Sequence, residues 1–100
     1  MTLTARKLVT IVTESAIEKN LVKDLKTLGV KGFTIVACEG EGDRGVRRGD
    51  WDQVKNIMIN CVCSDELALS VMDYVYDHYY EDYAMISYLS EVFVRRNTKF

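Results

Sequence analysis

Apolar and polar residues recur with two different periods along this chain, and the two periods predict where strands and helices lie. Residues 6–13 (RKLVTIVT) are β-branched and apolar, which predicts a first strand. Runs of the same kind predict a second strand at 33–38, a third at 54–63 and a last strand at 85–94. The two long intervals between these runs are left for helices.

The first interval carries a helical repeat of apolar residues. They recur at Ile17, Leu21, Leu25 and Leu28. This spacing of three and four residues predicts an amphipathic helix, which Gly29 ends. Ser15 and Glu18 stand three residues apart in the form of a capping box, so we expect the helix to begin at Ser15.

The second interval carries a second helix. Ser64 is a typical N-cap residue, and the acidic Asp65 and Glu66 that follow it suit the positive end of a helix dipole. One apolar stripe runs along this helix at Leu67, Val71, Val75 and Tyr79. The full order of elements is therefore βαββαβ, which predicts an α+β sandwich of the ferredoxin-like type.

Both faces of the predicted sheet are apolar. In the third strand Ile57, Ile59 and Cys61 point to one side, and Met58 and Val62 point to the other. Two helices cover only one face of such a sheet, and an apolar face needs a partner. We therefore expect a closed oligomer with the second face inside it.

Composition limits the chain to one ordinary domain. It has 100 residues, of which 48% are hydrophobic, and a net charge of -2. Residues 56–94 contain acidic residues and no lysine or arginine, so this half would repel a nucleic-acid backbone. The acidic residues are interpreted as a solvated helix face or as an acidic docking surface. Nucleic-acid binding is also disfavoured because the third strand has no aromatic platform.

Other function classes lack their signals. No stretch reaches the roughly 18 apolar residues of a membrane span, and the N-terminal segment has no apolar h-region, so a cytoplasmic protein is expected. The three cysteines, Cys38, Cys61 and Cys63, are interpreted as small buried hydrophobic residues rather than redox residues or metal ligands. The first strand-to-helix loop offers no arginine of the acylphosphatase kind, and no catalytic residue is predicted.

A glycine-rich, charged loop follows the second strand. Gly40, Gly42 and Arg44 form Gly-x-Gly-x-Arg, and Gly45 follows. Glycine removes the side-chain barrier to close approach, so backbone amides and a guanidinium can converge on an anion. The pattern indicates the edge of a phosphate site, and it is equally typical of a plain turn.

Two motifs together resemble a known family. The first is Gly32-x-Thr34 followed by Gly40-x-Gly42, and the second is YYEDYAMISY at 79–88. Both are similar to motifs of the PII-like signalling proteins, in particular those associated with carboxysomes or bicarbonate transport. The resemblance implies a trimer of a ferredoxin-like domain at 6–96, with a flexible N-terminus at 1–5 and a C-terminal tail at 97–100. It also implies a long T-loop at about 39–54, between strands two and three.

The resemblance implies roles for particular residues at a cleft between subunits. Thr34 would lie by the adenine of a nucleotide, and the Gly40 and Gly42 backbone would approach the ribose and phosphates. Arg44 and Arg47 would reach the phosphates. The remaining contacts would come from Asp82, Tyr83 and Ala84 in the loop before the last strand, and from Arg96 across the cleft. Bicarbonate would be held by Gly40, Gly42, Arg44, Arg47 and Arg48.

Departures from the family pattern refine the expected ligand. Arg44 stands where nitrogen-sensing PII proteins have a glutamine that helps to bind magnesium, and a guanidinium neutralises phosphate directly instead. The lysine that holds the outer phosphates of ATP is also missing, which favours ADP or AMP over ATP. A nitrogen-type regulator that binds ATP and 2-oxoglutarate, and a trimeric metal-tolerance protein, stay as alternatives.

The resemblance also implies a role and partners. The expected protein is a non-catalytic regulator of inorganic-carbon uptake or carboxysome function, with no metal cofactor. Ligand binding would order the T-loop, which would contact a membrane bicarbonate transporter or a carboxysome-related protein.

Overall fold

In the part of the chain that the structure describes, four strands and two helices follow one another in the predicted βαββαβ order. The computed structural model describes residues 2–40 and 55–95. The strands are β1 (Thr4–Glu14), β2 (Thr34–Cys38), β3 (Asn56–Cys63) and β4 (Met85–Val94). The helices are α1 (Glu18–Leu28) and α2 (Asp65–His78). The α+β ferredoxin-like fold expected from the sequence is confirmed.

The strands form one antiparallel sheet in the order β2-β3-β1-β4. Register is set by the apolar alternation, so that Ile11 lies opposite Ile59 and Val9 lies opposite both Cys61 and Leu89. β1 starts at Thr4, two residues earlier than predicted, because Thr4 pairs with Val94. Residues 4–5 therefore belong to the sheet and not to a flexible N-terminus.

The core lies between one face of this sheet and the two helices. β1 and β3 contribute alternate residues that are almost fully buried: Val9, Ile11, Ile57, Ile59, Cys61 and Cys63. The helices close the core from above with Leu21, Leu25, Ala68, Val71 and Val75. These positions agree with the predicted periodicity, so the hydrophobic pattern determines which side of each element is buried.

The start of α1 differs from the prediction. Ser15 makes no side-chain cap, and residues Ser15–Ile17 form a 3-10 turn before the α-helix begins at Glu18. The backbone N–H of Ser15 instead donates to the Lys55 carbonyl oxygen at 2.8 Å, which ties the turn to the chain segment before β3. The capping-box prediction is therefore wrong, because a contact between distant segments fixes the local geometry.

The other predicted helix boundaries are confirmed. The hydroxyl of Ser64 accepts a hydrogen bond from the Leu67 backbone N–H at 3.2 Å, as an N-cap does. Gly29 ends α1 with a φ of 113°, in the left-handed region that favours glycine. Gly29 is also the one residue with positive φ among those that the structure describes.

The second face of the sheet, here called the open face, carries no helix from residues 2–40 or 55–95. Apolar side chains dominate it, and Val36, Ile86 and Tyr88 are each between 44% and 56% exposed. Cys38 also lies on this face at the end of β2 and is half-buried, so it is not the core residue that was expected. Cys61 and Cys63 are buried as predicted.

Candidate functional site

The first group of candidate residues lies along the β2 edge of the sheet. Thr34 opens β2, pairs with Asn60 on β3 and is exposed. Gly40 follows the end of β2 by two residues and is also exposed. Apart from its chain neighbours, no described residue would lie within 4 Å of a Cβ atom placed on Gly40, so the described part of the fold leaves this backbone accessible. The β2 edge therefore offers an accessible backbone.

The second group lies in the turn between α2 and β4 (residues 79–84, the α2–β4 turn). Asp82 and Tyr83 both donate their backbone N–H groups to the Tyr79 carbonyl oxygen, at 3.1 and 3.0 Å. The turn thus folds back on the end of α2. Its backbone then reaches Ala84, which leads directly into β4.

Two β1 side chains hold Ala84 from both sides. The Thr13 hydroxyl donates to the Ala84 carbonyl oxygen at 2.9 Å. The Glu14 carboxylate accepts a hydrogen bond from the Ala84 backbone N–H, also at 2.9 Å. Because a hydrogen bond to a charged acceptor is stronger than a neutral one, Glu14 anchors the turn firmly.

Tyrosines fix the remainder of the α2–β4 turn. The Tyr79 hydroxyl donates to the Asp24 carboxylate on α1 at 2.5 Å. Burial, together with this bond, raises the pKa of Tyr79 above its ordinary value. The Tyr80 hydroxyl lies 2.7 Å from the Ser87 hydroxyl and accepts a hydrogen bond from the Ser87 backbone N–H. The turn is therefore attached to α1, β1 and β4.

The two groups of candidates lie at opposite edges of the sheet. In the strand order β2-β3-β1-β4, three strand intervals separate β2 from β4. At a spacing of about 4.8 Å per strand the edges are about 14 Å apart, with β3 and β1 between them. A ligand that contacts both edges of one chain would have to cross the whole width of the sheet. Two neighbouring chains could instead bring the Thr34 edge of one beside the Ala84 end of the other.

The other predicted site residues lie outside the described part of the chain. They are Gly42, Arg44, Arg47, Arg48 and Arg96. Of the residues predicted to hold bicarbonate, the structure describes Gly40 alone.

Sequence reasoning missed Thr13 and Glu14. Both stand at the end of β1, and their partner Ala84 is about 70 residues further along the chain. A carboxylate that directly follows the mostly apolar run LVTIVT at 8–13 is the signal that could have drawn attention to Glu14. Its partner could not be read from the sequence, because the pairing depends on the contact between β1 and β4.

The described part of the chain offers no metal centre. Within residues 2–40 and 55–95, no group of three potential ligand side chains could hold a metal ion. The bond between the two thiols raises the pKa of Cys61, together with burial, and lowers the pKa of Cys63. Among these same residues, no helix is long and apolar enough to cross a membrane.

These features define a ferredoxin-like α+β protein whose candidate ligand contacts are divided between two sheet edges. The chain matches the family model described as nitrogen regulatory protein P-II over residues 6–99. It therefore belongs to that family of signalling proteins, and the resemblance that the two sequence motifs indicated is confirmed at the level of the family.

Solved structures agree with this assignment. A PII-like signalling protein from Thermus thermophilus is 45% identical, with a TM-score of 0.79 and coverage of 94% of this chain and 93% of that one. CPII from Thiomonas intermedia K12, bound to ADP, AMP and acetate, is 25% identical, with a TM-score of 0.87 and coverage of 100% and 98%. A structure of CPII with ADP and bicarbonate is 26% identical over 95% of this chain and 93% of that one, with a TM-score of 0.82.

Proposed function

We propose that this protein is a homotrimeric, non-catalytic signalling protein that binds ADP or AMP in the clefts between its subunits. The observation that carries the proposal is the division of candidate contacts between the β2 edge and the β4 edge. A ring of subunits places the β2 edge of one chain beside the β4 edge of the next. Each junction then brings Thr34 and Gly40 together with the α2–β4 turn.

The open face supports a ring. It is apolar over much of its area, and such a face is unfavourable in water unless another surface covers it. At its centre the Thr10 hydroxyl donates to the Asn60 side-chain oxygen at 2.7 Å. Thr10 is only 3% exposed, so most of the polarity at the centre is already satisfied. Packing of three open faces around one axis would remove this surface from water.

The charge of the α2–β4 turn bears on how many phosphates the nucleotide carries. The α2–β4 turn carries Glu81 and Asp82, both exposed, and no cation. A third phosphate near this turn would meet negative charge without an offsetting lysine, so a diphosphate or monophosphate is favoured. The cations of the site are then Arg44 and Arg47 from the T-loop and Arg96 from the C-terminal segment. The Thiomonas structures with ADP and AMP support this choice.

Bicarbonate is the proposed second ligand. A small planar anion suits backbone amides together with a guanidinium, and Gly40, Gly42, Arg44, Arg47 and Arg48 supply both kinds of group. The CPII structure with ADP and bicarbonate supports the pairing of the two ligands. The T-loop would transmit the signal of ligand binding. In its ordered form it would contact a bicarbonate transporter or a carboxysome-related protein in the cytoplasm.

Calorimetric titration with ADP, AMP, ATP and 2-oxoglutarate tests the proposal, alongside sedimentation velocity on the same protein. We expect a trimer that binds ADP or AMP more tightly than ATP, with no response to 2-oxoglutarate and little effect of EDTA. Binding of 2-oxoglutarate in the presence of magnesium and ATP would support a nitrogen-type regulator instead. A monomer, or a trimer that binds no adenine nucleotide at millimolar concentration, would overturn the proposal.

A further inference from the structure

The outer edge of β4 presents backbone groups that can pair with another strand. β4 comes last in the order β2-β3-β1-β4, so no strand among residues 2–40 and 55–95 lies on its far side. Along an antiparallel strand, successive residues direct their N–H and C=O groups to alternate sides. The Ser87 N–H donates to the Tyr80 hydroxyl at 2.8 Å and therefore points away from β1. By this alternation, the same outer side carries the backbone groups of Met85, Leu89, Glu91 and Phe93.

Tyr80 occupies this outer edge at one point. Its hydroxyl accepts the Ser87 N–H and also lies 2.7 Å from the Ser87 hydroxyl. The Tyr80 ring is half-buried and packs against the core, so the hydroxyl is held in place. A strand that paired with β4 would put its own carbonyl oxygen on the Ser87 N–H. The Tyr80 hydroxyl fills that position and therefore blocks strand pairing at Ser87.

The pairing across the sheet shows which part of β4 lies level with β2. Thr34 on β2 pairs with Asn60, and Asn60 pairs with Thr10. Thr10 in turn pairs with Tyr88 on β4. These four residues form one row across the sheet, so Thr34 and Tyr88 lie at the same height along the strands. β2 is therefore level with the first half of β4, which contains Ser87.

A ring of subunits brings these two edges together. All neighbouring strands of the sheet are antiparallel, so β2 and β4 run in opposite directions. Rotation about an axis along the strands changes neither their direction nor their height. In the proposed trimer, β4 of one subunit and β2 of the next are therefore antiparallel and level. Two sheet edges in this arrangement can join by backbone hydrogen bonds unless something blocks them.

We propose that Tyr80 is a positioning residue that keeps the ligand cleft between subunits open. Because its hydroxyl occupies the Ser87 N–H, the β4 edge cannot join the β2 edge of the next subunit. The gap that stays between the edges is the space for ADP or AMP, between Thr34 of one subunit and the α2–β4 turn of the other. This inference rests on the trimer and the cleft proposed above, and it adds the residue that holds the cleft open.

Tyr80→Phe tests this role because it removes the hydroxyl and keeps the ring. With the Ser87 N–H free, the β4 edge should pair with the neighbouring β2 edge. ADP then binds only after these backbone hydrogen bonds open, so its dissociation constant should rise about tenfold. The dissociation constant of the trimer should fall instead, because the subunits gain hydrogen bonds. Calorimetry measures the first constant, and sedimentation velocity over a dilution series measures the second.

A second substitution supplies the rescue. Ser87→Pro removes the N–H that would pair, and an edge strand tolerates proline where the N–H faces outward. Tyr80→Phe combined with Ser87→Pro should therefore regain most of the ADP affinity and the trimer stability of the wild type. Tyr76→Phe is the control. The Tyr76 ring lies beside that of Tyr80, with centroids 5.2 Å apart, but it is 64% exposed, and both dissociation constants should stay unchanged.

The outcomes separate this role from the proposed function. If the wild-type trimer binds ADP and Tyr80→Phe binds it equally well, the blocking role is wrong and the nucleotide sensor stands. A loss of both ADP affinity and trimer stability in Tyr80→Phe would also contradict it, since that result indicates a general loss of structure. If the wild-type chain is monomeric or binds no adenine nucleotide, the proposed function fails and the blocking role fails with it.

Hydrogen exchange gives an independent measurement of the same junction. Circular dichroism checks that each variant folds, and exchange decides the matter if the double variant does not. In the Tyr80→Phe trimer, the Ser87 N–H should be protected from exchange, because a carbonyl oxygen of the next subunit replaces the lost hydroxyl. Rapid exchange of this N–H would show that the freed edge does not pair, which would overturn the proposal.

Discussion

The carboxylate of Glu14 accepts a hydrogen bond from the backbone N–H of Ala84 at 2.9 Å, which joins the end of β1 to the start of β4. This one contact fixes where the α2–β4 turn ends. Thr13 adds a second bond to the Ala84 carbonyl oxygen, so both polar groups of this residue are satisfied by neighbouring residues of β1. Two residues of β1 therefore determine the position of the α2–β4 turn.

Removal of the Glu14 carboxylate should loosen the α2–β4 turn. Glu14→Ala leaves the Ala84 N–H without its charged acceptor, and we expect a loss of about 1.5 kcal/mol in the free energy of unfolding. ADP affinity should fall with it, because the turn forms part of the proposed cleft. Glu14→Gln keeps an acceptor oxygen and should recover part of both losses. Urea unfolding and calorimetry measure the two effects.

The control for Glu14 is Glu91→Ala. Glu91 lies near the other end of β4, where it pairs with Lys7 at 3.7 Å, and both groups are partly exposed. Exposed ion pairs contribute little, so this variant should change stability by less than about 1 kcal/mol and leave ADP binding unaltered. Equal losses of ADP affinity in both variants would show that Glu14 has no positioning role.

Gly40 offers a test that separates binding from folding. Its φ is not positive, and a Cβ atom there would meet no described residue within 4 Å other than its chain neighbours. Gly40→Ala should therefore keep stability or raise it by about 0.4–1 kcal/mol, since alanine restricts the unfolded chain. ADP binding should nevertheless weaken, because the methyl group would occupy the space through which the ligand approaches the backbone.

Gly32 is the matched control for Gly40, since a Cβ atom there also meets nothing within 4 Å. Gly32→Ala should behave like Gly40→Ala in thermal unfolding and like the wild type in calorimetry. If Gly40→Ala binds ADP as tightly as Gly32→Ala does, the β2 end of the cleft is not a ligand contact.

Arg44 is predicted to meet phosphate directly. Arg44→Ala should weaken ADP binding by about 1.5–3 kcal/mol, the range for a hydrogen bond to a charged group. EDTA should make little difference in the wild type, because the guanidinium takes the place of a metal. Lys31→Ala removes an exposed cation elsewhere and measures the general effect of lost charge. A strong effect of EDTA on the wild type would argue for a metal ion in place of the guanidinium.

Tyr79 should make the folded protein less stable at alkaline pH. Burial, together with the bond to Asp24, raises the pKa of Tyr79 above its ordinary value of 10.0. Below that pH the hydroxyl keeps its proton in both the folded and the unfolded chain. Above it the unfolded chain loses the proton first, so the free energy of unfolding should fall as the pH rises. Tyr79→Phe should reduce this slope and lower stability at neutral pH by about 1.5 kcal/mol.

Tyr74→Phe is the comparison variant for this loss of stability at alkaline pH. Desolvation and the nearby Asp24 also raise the pKa of Tyr74. Tyr74→Phe therefore shows how much of the pH dependence of the unfolding free energy comes from Tyr74 and how much from Tyr79. Unfolding by urea at several pH values between about 8 and 11 spans the ordinary tyrosine pKa. An unchanged slope in Tyr79→Phe would place the titrating group elsewhere.

Bicarbonate and nucleotide should strengthen each other's binding. If both lie at one junction, bicarbonate tightens ADP binding by the same factor by which ADP tightens bicarbonate binding. Titration of ADP with and without bicarbonate, at fixed pH and ionic strength and with chloride as control, measures that factor. Identical ADP affinities would leave the nucleotide sensor in place and remove the proposed link to inorganic carbon.

The sequence determines much of this fold because the fold relies on local periodicity. Alternation places Ile57, Ile59 and Cys61 in the core, and helical spacing does the same for Leu21 and Leu25. The failures have a common cause. Ser15 does not cap α1, since its backbone N–H bonds to the Lys55 carbonyl oxygen from a distant segment. Such partners depend on strand pairing, which the periodicity of one segment does not contain.

The same limit applies to the candidate site. Family motifs identify Thr34 and Ala84, but their separation follows only from the strand order, which puts β2 and β4 at opposite edges. Glu14 shows the converse case, because no motif marks it and its role becomes visible only through its contact with Ala84.

A site divided between two edges also predicts how defective subunits behave in a mixture. Suppose that one variant carries a damaged β2 edge, such as Gly40→Ala, and another carries a damaged α2–β4 turn, such as Glu14→Ala. Each variant alone forms rings in which every junction has one faulty side. A ring that contains both kinds of subunit always has one junction in which an intact β2 edge faces an intact turn. Two inactive proteins, unfolded and refolded together, should therefore regain part of their nucleotide binding, a form of complementation that a site within one chain could not show.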